Sequence, residues 1–392
     1  MSITFPEGFV WGVAGAAHQI EGGNWNNDWW AWEHAPNTAC VEVSGDCCDS
    51  VNRYVDDIAL VRDLGFGSYR FSIEWSRIEP EDGEFSRAAL DYYRRVLATC
   101  RECGIEPSVT FHHFTTPRWM AERGGWADPT IVDKFVRFCE KSVAHLGDLI
   151  AMGSTINEPN VVSLLGYLME RFPPGLRDFS LYSTASEHLR DAHVRAYDVL
   201  KAGPGDFPVG LTVSMSDWWT PEGGEAGMER ARAMHEDYYL EATRGNDFVG
   251  VQAYTRTRIG LDGLPMEPDP ETPIIESMGY EYWPQSLEAS IRHAVDVTGI
   301  PIYVTENGIG IDDDATRIKF VTEALQGLDR CLVDGLDVRG YTYWSLLDNF
   351  EWAEGYKPRF GLVAVDRATF VRTPKPSAAW LGGIARTGRL ET

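Results

Sequence analysis

A chain of 392 residues with 59 acidic against 35 basic side chains, a net charge of −24, repels phosphate backbones and anionic lipid surfaces, which excludes nucleic acid and membrane as partners. Its 44% hydrophobic and 24% charged content is that of a folded globular protein with a sizeable core, and no low-complexity stretch or linker interrupts it. The length suits either several average domains or one long α/β barrel, and the 14 tryptophans suggest flat ring platforms among many core residues.

Taken in chain order, short β-rich runs alternate with longer helical ones. Strands are predicted at residues 9–14, 68–73, 106–112, 150–156, 208–215, 248–254, 301–305 and 340–345. Helical periodicity fills the intervals at 54–64, where Ile58, Val61 and Leu64 share a face, and at 88–103, 131–146, 186–200 and 315–332. Eight strands alternating with helices predict a single (β/α)8 TIM barrel over residues 1–392, with its active site at the C-terminal ends of the strands. The longest excursions, 216–247 and 256–282, flank the sixth strand and are expected to shape the entrance to that site.

Two of the predicted strands end on an acid. Glu158 follows Asn157 and precedes Pro159; Glu306 follows Thr305 and precedes Asn307 and Gly308. Either alone reads as a buried acid in an ion pair. Both at the same register suit the pair of carboxyls used in glycoside hydrolysis, where a separation of about 5–5.5 Å gives retention and a wider one inversion. Gln19 and His113 alone are polar residues near strand ends, and Trp344 and Trp352 alone read as core. Glu351 between aromatic neighbours is harder to place, because an unpaired buried carboxylate is costly.

Metal and nucleotide signatures are missing: there is no HExxH, no P-loop and no GxGxxG after a strand, so no metal and no cofactor are expected. His112 and His113 are neighbours on a strand and face opposite ways. The Asp312–Asp314 run reads as a loop leading into a helix. Cys100 and Cys103 have CxxC spacing within a helical pattern and no second pair, so they read as structural or free thiols, and Cys47 and Cys48 as buried rather than bridged. The first seven residues lack a basic region and an apolar segment, and neither an N-x-Ser/Thr sequon nor an apolar run near 18 residues occurs. A cytoplasmic, reduced protein is expected.

The ordered motifs resemble glycoside hydrolase family 1, the β-glucosidase family, essentially end to end. They begin at Phe9-Val10-Trp11-Gly12-Val13-Ala14 and Gln19-Ile20-Glu21-Gly22 and continue through Tyr69-Arg70-Phe71-Ser72-Ile73-Glu74-Trp75-Ser76-Arg77-Ile78. His113, Asn157-Glu158-Pro159, Asp247-Phe248-Val249-Gly250 and Thr305-Glu306-Asn307-Gly308 follow. The run closes with Tyr343-Trp344-Ser345-Leu346-Leu347-Asp348-Asn349-Phe350-Glu351-Trp352 and Arg359-Phe360-Gly361-Leu362.

The resemblance implies a retaining exo-β-glycosidase. Glu158 would be the acid/base, with a pKa raised by a desolvated setting. Glu306 would be the nucleophile that forms a glycosyl-enzyme, kept ionised by Arg70 and steadied by the Tyr254 hydroxyl. Gln19, His113, Asn157, Glu351 and Trp352 would bind the glycone hydroxyls, Asn157 facing the 2-hydroxyl, with Trp344 beneath the ring. Glu351 would repel a 6-phosphate, and Glu158 argues against the thioglucosidase branch, which has glutamine there. The expected substrates are β-glucosides or short β-linked oligosaccharides. Action on β-galactosides or β-fucosides, transglycosylation, a non-catalytic sugar-binding barrel and homo-oligomerisation stay open.

Three departures bear on the family pattern. Gln252-Ala253-Tyr254 stands where Asn-Tyr-Tyr is usual, Phe114-Thr115-Thr116 where Trp-Asp is common after the histidine, and Tyr280 where a tryptophan is common near the leaving group. The chain is also short for the family. Trimmed entrance loops would open the mouth to bulkier leaving groups.

Overall fold

The computed structural model describes residues 2–391. Eight parallel strands close into a barrel. Numbered β1 to β8 in chain order, they are Val10–Ala14, Ser68–Ser72, Glu106–His112, Met152–Asn157, Val209–Trp219, Phe248–Arg258, Ile302–Asn307 and Val338–Tyr343. Each pairs with the next in sequence, and β8 returns to β1 with Gly340 opposite Val10 and Tyr343 opposite Val13. All eight predicted strands are present.

Helices cover the barrel from outside. They include α1 Ser50–Leu64, α2 Arg87–Glu102, α3 Ile131–Leu146, α4 Pro159–Tyr167, α5 Phe179–Ala202, α6 Ser286–Thr298, α7 Asp314–Val333 and α8 Pro376–Thr387. In α1 the face formed by Ile58, Val61 and Leu64 is buried, as its spacing requires. Helix α5 starts seven residues before the predicted 186. Its N-cap, Asp178, accepts from the backbone N–H groups of Ser180 and Leu181, so the start is set by a polar cap outside the apolar pattern. Asp313 caps α7 in the same way, in agreement with the expected loop and helix start. Helices α4, α6 and α8 fall outside the predicted periodic stretches. Helix α4 begins directly after Glu158, with Pro159 at its first position, where a missing N–H costs nothing.

The two long excursions begin as strand rather than loop. Strands β5 and β6 stay paired beyond a register shift between Met215 and Asp217, as far as Trp219 opposite Arg258. This doubled extension rises over one side of the C-terminal mouth. Near the two ends of the chain, Ser2–Thr4 pairs antiparallel with Arg389–Glu391. All seven cysteines are unpaired. No helix among the described residues is long and apolar enough to cross a membrane.

Candidate active site

The strands that deliver the two glutamates are both irregular just before them. The register of β4 against β5 slips between Ser154 and Asn157, and that of β7 against β6 between Val304 and Glu306. Such slips re-aim the following side chains. Glu306 lies inside β7, one residue before its end, where the prediction had placed it just beyond. Glu158 lies just past β4 with φ 45° and ψ 60°, a left-handed conformation that few non-glycine residues adopt. After Glu306 the chain passes so close to β8 that a Cβ on Gly308 would sit 2.1 Å from the carbonyl oxygen of Trp344.

The surroundings of the two acids differ sharply. Arg70 Nη1 donates to Glu306 Oε1 at 2.5 Å, and the Tyr254 hydroxyl donates to Oε2 at 2.6 Å. Glu158 has no such cation. Burial raises both carboxyls above the ordinary range, but Arg70, Tyr254 and Gln252 draw Glu306 back. Glu158 is pushed well up by burial and then by the charge of Glu306. A proton shared by the pair therefore sits on Glu158.

Asn157 connects this pair to the barrel. Its Oδ1 accepts from Arg70 Nη2 at 2.6 Å, from Gln252 Nε2 at 3.0 Å and from Thr212 Oγ1 at 3.3 Å. Three donors settle which way the amide points, and its Nδ2 is left buried without a protein partner. Gln252, a departure from the family pattern, thus reaches Asn157 as well as the nucleophile side of the site.

A cavity of about 270 Å³ opens above these groups. Eight of the ten predicted site residues line it: Glu158, Glu306, Tyr254, His113, Asn157, Trp344, Glu351 and Trp352. Arg70 and Gln19 lie behind this layer. Gln19 Nε2 donates to the Phe350 carbonyl at 2.7 Å and to Glu351 Oε2 at 3.3 Å, while its Oε1 is buried without a partner. Glu351 is pushed up to about 8 by burial and then by Glu306, so the site does not hold three full negative charges beside one guanidinium at neutral pH.

His113 is held neutral, its pKa far below the ordinary histidine value through burial and then the nearby Arg70. Its ring stacks on Trp344 at 5.8 Å and on Trp352 at 6.0 Å. His112 points the other way, into the core against Trp126 and Phe135. His18 stacks on Trp352 at 5.7 Å with the rings 8° apart, a contact that its place beside Gln19 did not reveal.

The outer wall is apolar. Val161, Phe172 and Met215, which no motif marked, join Phe114, Met278 and Tyr280 there. Val161 lies in α4, Phe172 just beyond it and Met215 within β5, while Phe114 follows β3 and Met278 and Tyr280 follow β6, so no single spacing in the sequence connects them. Phe114 and Tyr280, two of the departures from the family pattern, both face the cavity.

An acid held protonated, a carboxylate held by a guanidinium and a phenol, and a pocket of polar groups around stacked rings suit cleavage of a sugar acetal. The profile of glycosyl hydrolase family 1 matches residues 1–253 and 238–389. The chain belongs to this family and is a glycoside hydrolase acting on O-glycosyl bonds. Among its relatives is β-glucosidase A of Thermotoga maritima, 32% identical and covering 99% of each chain. That alignment spans 447 positions against the 392 residues here, so the relative has insertions that this chain lacks. Among solved structures, the β-glycosidase BGL167 is 46% identical with a TM-score of 0.91 over 97% of each chain. The β-glycosidase from Pyrococcus horikoshii is 35% identical with a TM-score of 0.93 over 100% of this chain and 97% of that one.

Proposed function

We propose that this protein is a retaining exo-β-glycosidase that removes the non-reducing terminal β-D-glucosyl residue from β-glucosides. The observation behind this reading is the unequal environment of its two acids. Glu306, held through both oxygens, attacks the anomeric carbon. Glu158 gives its proton to the glycosidic oxygen as that bond breaks, and the alcohol leaves. Ester formation removes the charge of Glu306, the pKa of Glu158 falls, and Glu158 then takes a proton from the water that cleaves the glycosyl-enzyme. Membership of the family and relatives named β-glucosidase support retention and the choice of glucose.

Asn157 Nδ2 and His113 Nδ1, from residues that line the cavity, are unpartnered polar atoms that glycone hydroxyls would meet, with Gln19 holding Glu351 from behind. Glu351 supplies no cation to pair with a phosphate, which disfavours a 6-phosphosugar. The apolar outer wall favours aryl or alkyl leaving groups over a second sugar. A cytoplasmic location belongs to the same reading and is supported by the unpaired cysteines.

Hydrolysis of a panel of nitrophenyl glycosides, with NMR of the first anomer released, tests the proposal. β-Glucose appearing first is expected, with glucosides preferred to galactosides and fucosides. α-Glucose appearing first would make the enzyme inverting, and no turnover of any β-glycoside would remove the catalytic reading.

A further inference from the structure

A second cavity, of about 320 Å³, lies beside the catalytic one on the same face of the barrel. It is framed by the loops that follow β1, β3 and β4. The ring of Phe114 forms part of the wall of both cavities. Otherwise its walls are flat and apolar, with Trp32, Trp126, Tyr167 and Pro174 prominent.

Polar side chains interrupt this lining at Asp28, Thr116, Arg118 and Glu122. Asp28 Oδ1 accepts the backbone N–H groups of Trp29 and Thr116, each at 2.8 Å, while Oδ2 meets no partner among the described residues. The indole N–H groups of Trp32 and Trp126 also lack partners, and Trp126 is only 1% exposed. Buried polar groups are normally satisfied, and two unpartnered indole N–H groups in one cavity wall point to a ligand with a polar atom of its own. Surrounding protein pushes Asp28 up to about 8, which leaves a neutral acid that can donate an O–H as well as accept one. A flat ring with one hydroxyl matches the aromatic walls, the Asp28 acid and the unpartnered indole N–H groups.

We propose that this cavity is a second ligand site that takes an aromatic alcohol, its ring against Trp32 and Phe114 and its hydroxyl on Asp28. The choice of ligand rests on the function proposed above, because cleavage of an aryl glucoside releases such an alcohol on the other side of Phe114. The shared ring gives the occupied site a route to the catalytic cavity.

The test is calorimetric titration of 2-naphthol into enzyme saturated with phenyl 1-thio-β-D-glucoside, whose ring and sugar fill the catalytic cavity. Naphthol is expected to bind the saturated enzyme. Ala121→Phe, which fills the second cavity, should abolish that binding. Trp32→Ala, which removes a ring that the naphthol packs against, should weaken it about tenfold. Both variants should hydrolyse nitrophenyl β-glucoside with unchanged KM.

Naphthol binding that disappears from the saturated wild type, or that persists unchanged in Ala121→Phe, would overturn the site. If Ala121→Phe does not fold, unchanged affinity in Trp32→Ala overturns it. The binding readout needs no turnover. A chain inactive on β-glucosides that still binds naphthol in an Ala121-sensitive way would refute the proposed function and leave the site standing.

Discussion

Glu306 is held by a guanidinium on one oxygen and a phenol on the other; Glu158 has neither, and that difference assigns their tasks. Replacing Glu306 by Ala should lower kcat roughly 10⁴-fold or more, as loss of a nucleophile does; near-normal turnover would refute its role. Replacing Glu158 by Ala should cost about 10²–10⁴-fold on alkyl glucosides and far less on dinitrophenyl glucosides, whose leaving group needs no proton. Equal losses on both would count against an acid. The charge of Glu306 raises Glu158, so Glu306→Gln should shift the Glu158 pKa downward. Carbon NMR of labelled glutamate reads this directly, and an unmoved Glu158 would break the coupling. The sign also sets the pH profile. A raised Glu158 keeps its proton above the ordinary 4.5, and activity declines on the alkaline side as that proton is lost.

At the scale of elements, the ends of β7 and β8 approach closely at Gly308. Gly308→Ala would force a Cβ against the Trp344 carbonyl, costing about 1–3 kcal/mol in stability. Because the same contact seats Glu306 and Trp344, activity should fall along with the melting temperature; a variant with native stability and kinetics would show that the strand ends move apart freely.

The extension of β5 is tied to the segment Ala233–Asp237 by Glu236, whose Oε1 accepts from Ser216 N at 2.9 Å and from Trp218 Nε1 at 2.6 Å. Burial pushes Glu236 up to about 8 from 4.5. Between those values the folded chain keeps a proton that the unfolded chain releases. The stability this group contributes is therefore present below 4.5 and lost as pH rises toward 8. In Glu236→Gln the melting temperature should fall less between pH 5 and pH 8 than in the native chain, as scanning calorimetry would show. Elements were legible to differing degrees. Strands buried on both faces announce themselves as apolar runs, and helix α3 matches its apolar period end to end. The starts of α1 and α5 lie outside the periodic stretch, and the paired extensions of β5 and β6 carry polar and charged residues that do not read as strand.

For the whole molecule, a net charge of −24 makes the folded state repel itself. The melting temperature should rise as salt increases from 0.01 M to 0.15 M, over which the Debye length shrinks from about 30 Å to about 8 Å. A fall over that range would mean that ion pairs such as Arg372 with Asp57, 2.8 Å apart between the C-terminal segment and α1, outweigh the repulsion.

What the sequence determined by itself is local: eight apolar strand runs, acids at two strand ends, and motifs that place Arg70, Tyr254, Asn157 and Glu351 in one chemistry. Residue type and period two or 3.6 are written along the chain, so these need no fold to be read. The resemblance already gave the proton to Glu158; the tertiary structure supplies the cause, Arg70 lying 2.5 Å from Glu306 across 236 residues of chain. It alone placed Gln19 and Arg70 behind the cavity, put His18 on Trp352 and assembled Val161, Phe172 and Met215 into one wall. Distances between loops on different strands depend on barrel closure, and no spacing along a single chain encodes them.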